Sequence, residues 1–127
     1  MPSVVLADDE EFVRYFMRQV MESLYYEVIA EVQDGNELVN VMKENPPDIL
    51  VLDINMPNMT GLEFLQQYAR FFEDTCIIIL TSAVASDIMD KISQTKIKFY
   101  LLRKDTPPEQ MGDWIQDFWT SFKKGKA

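Results

Sequence analysis

A chain of 127 residues and 14.8 kDa has room for one domain and not for two, and its 47% apolar and 26% charged residues suit a folded core rather than a disordered segment. Against 12 Lys plus Arg stand 21 Asp plus Glu, a net charge of -9 and a pI near 4.4, so the surface repels phosphate backbones and anionic lipid, and direct nucleic-acid or membrane binding is not expected. There is no His, which excludes Ser-His-Asp, Cys-His and His-rich zinc chemistry and leaves any chemistry to carboxylates.

In chain order, Ser3-Val4-Val5-Leu6-Ala7 reads as a buried strand that stops at two aspartates. Phe12, Val13, Phe16, Met17, Val20, Met21 and Leu24 recur at the steps of an amphipathic helix. Tyr26 to Val32 is rich in β-branched and aromatic residues and ends at the turn signal Asp34-Gly35. A helix carrying Leu38, Val39, Val41 and Met42 follows, closed by Asn45-Pro46-Pro47. Asp48 to Asp53 is a nearly continuous apolar strand ending on a carboxylate, just before a loop with Pro57 and Gly61. The second half repeats the alternation: a helix with Leu62, Phe64, Leu65, Tyr68, Phe71 and Phe72, a strand over Cys76 to Leu80, a helix over about Ser86 to Thr95, a strand over Ile97 to Leu102, and a helix over about Pro108 to Lys123. Strict alternation with doubly apolar central strands predicts an α/β sandwich, a parallel five-stranded sheet covered by helices on both faces.

Three smaller readings complete the frame. The lone Cys76 cannot form an intramolecular disulfide, which makes a reducing, cytoplasmic setting the default. No basic residue precedes Arg14 and no apolar run is long, so neither a signal peptide nor a membrane span is expected. Lys123-Lys124-Gly125-Lys126-Ala127 reads as a frayed basic tail after residue 122.

In a parallel sheet of this kind the site lies at the carboxyl ends of the strands. Those ends carry Asp8-Asp9, Asp53, Thr81-Ser82 and Arg103-Lys104. Each has an ordinary explanation on its own: an aspartate after a strand is commonly a turn former or helix cap, and Asp8 to Glu11 would complement a helix N-terminus. Together they are another matter. Three carboxylates make a hard-oxygen cluster suited to Mg²⁺, and an adjoining hydroxyl and cation are what a phosphoryl group needs. A carboxylate so placed can act as a nucleophile and become an acyl phosphate.

Ala7-Asp8-Asp9-Glu10, the run Asp48-Ile49-Leu50-Val51-Leu52-Asp53-Ile54-Asn55-Met56-Pro57-Asn58-Met59-Thr60-Gly61, and Ile79-Leu80-Thr81 resemble the receiver domain of two-component response regulators, the chemotaxis regulators that consist of a receiver alone in particular. The resemblance implies a flavodoxin-like doubly wound fold with strand order 2-1-3-4-5, the receiver occupying residues 1–122 and residues 123–127 a short basic tail. It implies a phosphorelay switch rather than an enzyme, which takes phosphoryl from a sensor histidine kinase or phosphotransfer protein and loses it by self-hydrolysis. Asp53 would be the phosphoacceptor. Asp9 would hold Mg²⁺ (or Mn²⁺ in its place) directly, Asp8 largely through water, Asn55 through its backbone carbonyl, and Asp53 would be a metal ligand as well as the acceptor. Thr81 and Tyr100 would be the switch residues, and a face made by the fourth helix, fifth strand and fifth helix would meet an output protein. Gly61 is expected to permit the turn into the third helix. Ser82 and Ala83 fall where the family tunes the access of water to the acyl phosphate.

The fifth strand departs from the pattern. Family members place Lys-Pro after an aromatic residue, with a glycine shortly before the strand. Here Lys96 to Phe99 has no Gly, and Tyr100-Leu101-Leu102-Arg103-Lys104-Asp105 offers two cations and no adjacent proline. Counting forward from Thr81 selects Arg103 for the phosphoryl-contacting cation, and counting back from Pro107-Pro108 selects Lys104; one extra residue, as a bulge, reconciles them. Lys104 is favoured, because a point charge suits a compact acyl phosphate better than a planar fork. In the last helix, Met111, Trp114, Ile115, Phe118, Trp119 and Phe122 cover more than one face, so one Trp and one Phe are expected to remain exposed for a partner or a homodimer.

The altered strand leaves a rival, a receiver-fold interaction module that no longer depends on phosphorylation. A small aspartyl phosphatase would want a second acid where Asn55 stands. A flavin-binding domain would want a phosphate-cradling loop where the first strand ends in acids.

Overall fold

The computed structural model describes residues 1–82 and 86–126. Its elements are β1 (Ser3–Ala7), α1 (Glu11–Ser23), β2 (Glu27–Val32), α2 (Gly35–Glu44), β3 (Ile49–Asp53), α3 (Gly61–Tyr68) running into a 3₁₀ turn (Ala69–Phe71), β4 (Cys76–Thr81), α4 (Ser86–Gln94), β5 (Tyr100–Arg103) and α5 (Pro108–Lys126). The sheet is parallel throughout, in the order β2-β1-β3-β4-β5, the expected doubly wound fold.

Residue alternation divides the core into two layers. Val5, Ala7, Leu50, Leu52, Ile77 and Ile79 face α2, α3 and α4, where Leu38, Met42, Phe64, Leu65 and Ile92 pack on them. Val4, Leu6, Ile49, Val51, Ile78 and Leu80 face α1 and α5, meeting Met17, Met21, Met111, Ile115 and Phe122. Every residue of β3 and β4 is buried, so their apolar runs have no polar alternation. One consequence reaches the site: Asp53 and Thr81 end those two strands and are only 4% exposed each.

Helix entry is set by capping. Asp34 accepts the Glu37 backbone N–H at 2.9 Å, and Thr60 with Glu63 forms a reciprocal capping box, each bond 3.1 Å long. Gly61 has a negative φ, so its role differs from the expected conformational freedom. Its N–H donates to Ile54 O at 2.9 Å, and a Cβ there would lie 2.2 Å from the Asp53 carbonyl oxygen. The glycine lets the start of α3 lie against the end of β3, immediately behind the acid that β3 carries.

Three expectations need correction at the C-terminal end. The fifth strand starts at Tyr100 and not at Ile97, because the chain turns through Lys96 at φ 61 before it straightens. Its pairing with β4 runs without a shift from Ile78↔Tyr100 to Thr81↔Arg103, so the extra residue is not a bulge in this strand. The register shift in the sheet lies between β1 and β2, at Val4/Val5. The basic segment read as a frayed tail is the last turn of α5 as far as Lys126, where lysines complement the negative end of the helix and Lys126 pairs with Asp74 at 3.5 Å.

The surplus aromatics of α5 also divide differently from the expectation. Trp114 is the exposed one, at 48%. Phe122 is buried, and Phe118 stacks on Tyr100 with ring centroids 4.9 Å apart, so β5 supplies the cover that helical periodicity alone leaves out. No exposed Phe remains on this helix.

Candidate functional site

The carboxyl ends of β1, β3, β4 and β5 meet at one edge of the sheet. Lys104, the first residue after β5, is fixed by its backbone N–H, which donates to the Thr81 carbonyl at 2.8 Å. Its side chain reaches back over the strand ends. Nζ lies 3.1 Å from Asp8 Oδ2, 3.3 Å from Glu10 Oε1 and 3.6 Å from Asp53 Oδ2, so one ammonium is shared among three carboxylates. Arg103 points elsewhere and forms a two-bond fork with Asp105, at 2.9 and 3.0 Å, in the open. Successive strand residues face opposite sides, which separates these two cations in space as their sequence adjacency does not.

Asp53 is held by the backbone N–H of Asn55, which donates to Oδ1 at 3.0 Å. Burial pushes its carboxyl up to about 6; the Asn55 bond acts against this, the Asp8 charge adds to it, Lys104 opposes it and Asp9 adds a little more. Asp8 is also raised, by burial first, with the Glu10 backbone bond and Lys104 pulling the other way. Burial works against the Lys104 charge, but Asp53, Asp8 and Glu10 outweigh it and hold the ammonium above its ordinary value. The edge is therefore a set of buried acids short of positive charge.

Asp8, Asp9 and Glu10 bring one carboxylate oxygen each to within 4.8 Å of one another, with Asp8 buried and the other two exposed. Asp8 Oδ1 accepts the Glu10 backbone N–H at 2.9 Å, which shapes the turn into α1. Asp8 Oδ2 is buried and has no well-directed hydrogen bond, although the Lys104 ammonium is near. An orphaned anionic oxygen beside two further acids and no nitrogen or sulfur donor is the chemistry of a hard divalent cation site.

Of the residues singled out from sequence, Asp8, Asp53 and Lys104 converge directly, with Thr81 at the neighbouring strand end. Asp9 stands at the exposed rim, Asn55 and Pro57 lie in the loop after β3, and Gly61 backs that loop. Tyr100 lies one strand away, half-buried against Phe118, with its hydroxyl buried and without a hydrogen-bond partner among the described residues. Ser82 follows Thr81 at the same edge, and Ala83 lies outside the described residues. Glu10 is the participant that sequence reasoning passed over. It was legible only as an acid at a helix start, and its hold on Lys104 spans 94 positions.

The response regulator receiver domain family model matches residues 4–116. The chemotaxis protein CheY of Halobacterium salinarum is 32% identical over 118 residues, which cover 93% of this chain and 97% of that protein. The transcriptional regulatory protein YhcZ of Bacillus subtilis is 35% identical over 109 residues, 85% of this chain and 50% of that protein, so the chain spans half the length of this relative. Among solved structures, a CheY-like receiver domain protein from Methanospirillum hungatei superposes with a TM-score of 0.86, covering 98% of each chain at 18% identity, a likeness of fold. The family match, these relatives and an acid-lined edge on a 2-1-3-4-5 sheet lead to one statement of identity: the chain belongs to the receiver domain family of two-component response regulators, the signalling switches of those systems.

Proposed function

We propose that Asp53 accepts a phosphoryl group from the phosphohistidine of a sensor histidine kinase or phosphotransfer protein, and that the added charge switches a protein-binding face. The observation that carries this reading is the position of Lys104, 3.6 Å from Asp53 Oδ2 and 3.1 Å from Asp8 Oδ2. A carboxylate oxygen of Asp53 attacks phosphorus in line, the phosphorus–nitrogen bond breaks, and its electron pair returns to the imidazole. Lys104 then neutralises a phosphoryl oxygen, and the Thr81 hydroxyl donates a hydrogen bond to another. Asp8, Asp9, Asp53 and the Asn55 carbonyl would hold Mg²⁺, or Mn²⁺ in its place, and the bound ion would offset the charge gathering on the phosphoryl oxygens. Water reverses the modification by hydrolysing the acyl phosphate.

Phosphorylation adds a charge of roughly -1.5 to -2 next to Thr81 and Lys104. Both residues adjoin β5, so a shift there is felt at Tyr100, whose hydroxyl has no hydrogen-bond partner among the described residues and can gain one in another arrangement. Leu101 and Trp114, exposed on β5 and on α5, give the output face an apolar anchor, for an output protein or for a second copy of the chain. The rival reading, an interaction module indifferent to phosphorylation, drew on the altered fifth strand; a lysine seated among the acids weakens that ground. Among the described residues no helix is long and apolar enough to cross a membrane, and we place the protein in the cytoplasm with its kinase.

Beryllofluoride with Mg²⁺ tests the switch without turnover. The fluorescence of Trp114 and Trp119 should change on addition, and the change should vanish in Asp53→Ala. An unchanged spectrum in the parent chain would favour the phosphorylation-independent module.

A further inference from the structure

At the opposite, amino-terminal edge of the sheet lies a cavity of about 290 Å³ between the 3₁₀ turn after α3, the segment from Thr95 to Lys98 and the last turn of α5. Four of the chain's 12 cations line it, Arg70, Lys96, Lys98 and Lys126, against one carboxylate, Glu73. In a chain of net charge -9 this is a local reversal of sign. Lys126 pairs with Asp74, but no ion pair within 4.0 Å engages Arg70, Lys96 or Lys98 among the described residues. The helix dipole accounts for Lys126 at the end of α5; it does not account for Arg70 in the 3₁₀ turn or for Lys96 and Lys98 in the segment before β5.

The cations stand over an apolar floor. Lys98 Nζ lies 5.9 Å and Lys126 Nζ 5.4 Å from the centre of the buried Phe122 ring, and Phe72, Ile77 and Ile97 continue the wall. Several converging ammonium groups call for an anion with more than one charge, and an aromatic and aliphatic wall calls for a flat apolar body attached to it. The volume suits a small molecule rather than a folded partner.

We propose that this cavity is a nucleotide site, with phosphates held by Lys96, Lys98 and Lys126 and the base seated against Phe72 and the aliphatic wall. It lies at the far edge of the sheet from Asp53 and does not depend on the phosphoacceptor reading.

The test titrates ADP, and separately pyrophosphate, into the full chain by calorimetry, with divalent ions chelated so that the acid edge cannot hold a metal–nucleotide complex. ADP should bind once per chain with a Kd below about 1 mM, and pyrophosphate at least about tenfold more weakly. Lys96→Asn combined with Lys98→Gln should weaken ADP by at least about tenfold, while Lys43→Gln on α2 leaves it unchanged. Asparagine suits the left-handed backbone at position 96 and both lysines are exposed, so the double variant keeps the fold. No saturable ADP binding, equal binding by the double variant, or pyrophosphate binding as tightly as ADP would each overturn the proposal.

Discussion

Asp53 is an acid made uncomfortable by its place at the end of a buried strand. Its folded-state pKa of about 6 lies above the ordinary 3.8, so the folded chain holds this proton more tightly than the unfolded chain does. Without divalent ions, the contribution of this carboxyl to stability is fully present below about 4 and is lost as pH rises through about 6. Asp53→Asn removes the charge, so its stability advantage over the parent chain should grow by about 2–3 kcal/mol across that window in urea unfolding with chelator. An advantage that does not vary with pH would show that burial does not control this carboxyl. At the same scale, Lys104→Ala should slow labelling by acetyl phosphate at least about tenfold, whereas Arg103→Ala should change the rate by less than about twofold. Comparing initial rates decides between the two cations. That choice was only half legible in the sequence, because both lie within one residue of the strand end and only the alternation of side chains sends Lys104 inward and Arg103 out to Asp105.

At the scale of elements, the tightest contact near the site is backbone against backbone. Gly61→Ala would push a methyl into the Asp53 carbonyl, which cannot move without moving the acceptor, so a loss of about 2–4 kcal/mol is expected by denaturant unfolding, with slower phosphorylation. Thr60→Ala removes one half of the capping box and should cost about 1 kcal/mol with little effect on labelling. The pair of variants separates the close approach of α3 from its stability. The strands as far as β4 and the first two helices followed from their apolar periods, since the two core layers are written as alternate residues of β1, β3 and β4, whereas α3 ends at Tyr68, short of the Phe71 and Phe72 read into it. The C-terminal elements were less legible for a reason of packing. Ile97 and Phe99 are apolar enough for a strand, but the left-handed turn at Lys96 delays pairing until Tyr100. Phe118 reads as surplus on α5 until Tyr100 is found stacked against it.

For the whole molecule, the excess acid is unevenly placed. One sheet edge concentrates Asp8, Asp9, Glu10 and Asp53 around a single lysine, and the other edge gathers four cations about a cavity lined by one carboxylate. Binding of Mg²⁺ to the folded chain alone should relieve the first. At a concentration ten times its Kd, the ion should add about 1.4 kcal/mol of stability, and Asp9→Asn should lose most of that gain. Thermal unfolding with and without chelator reads it directly. The acid edge was visible in chain order, because a parallel sheet brings successive strand ends together. The basic edge was not, since its four cations sit in three segments with no shared motif. The central claim, that Asp53 is the phosphoacceptor, is tested most directly by intact mass after incubation with acetyl phosphate and Mg²⁺. The parent chain should gain one phosphoryl group and Asp53→Ala none; no gain in the parent, or the same gain in the variant, would contradict the assignment.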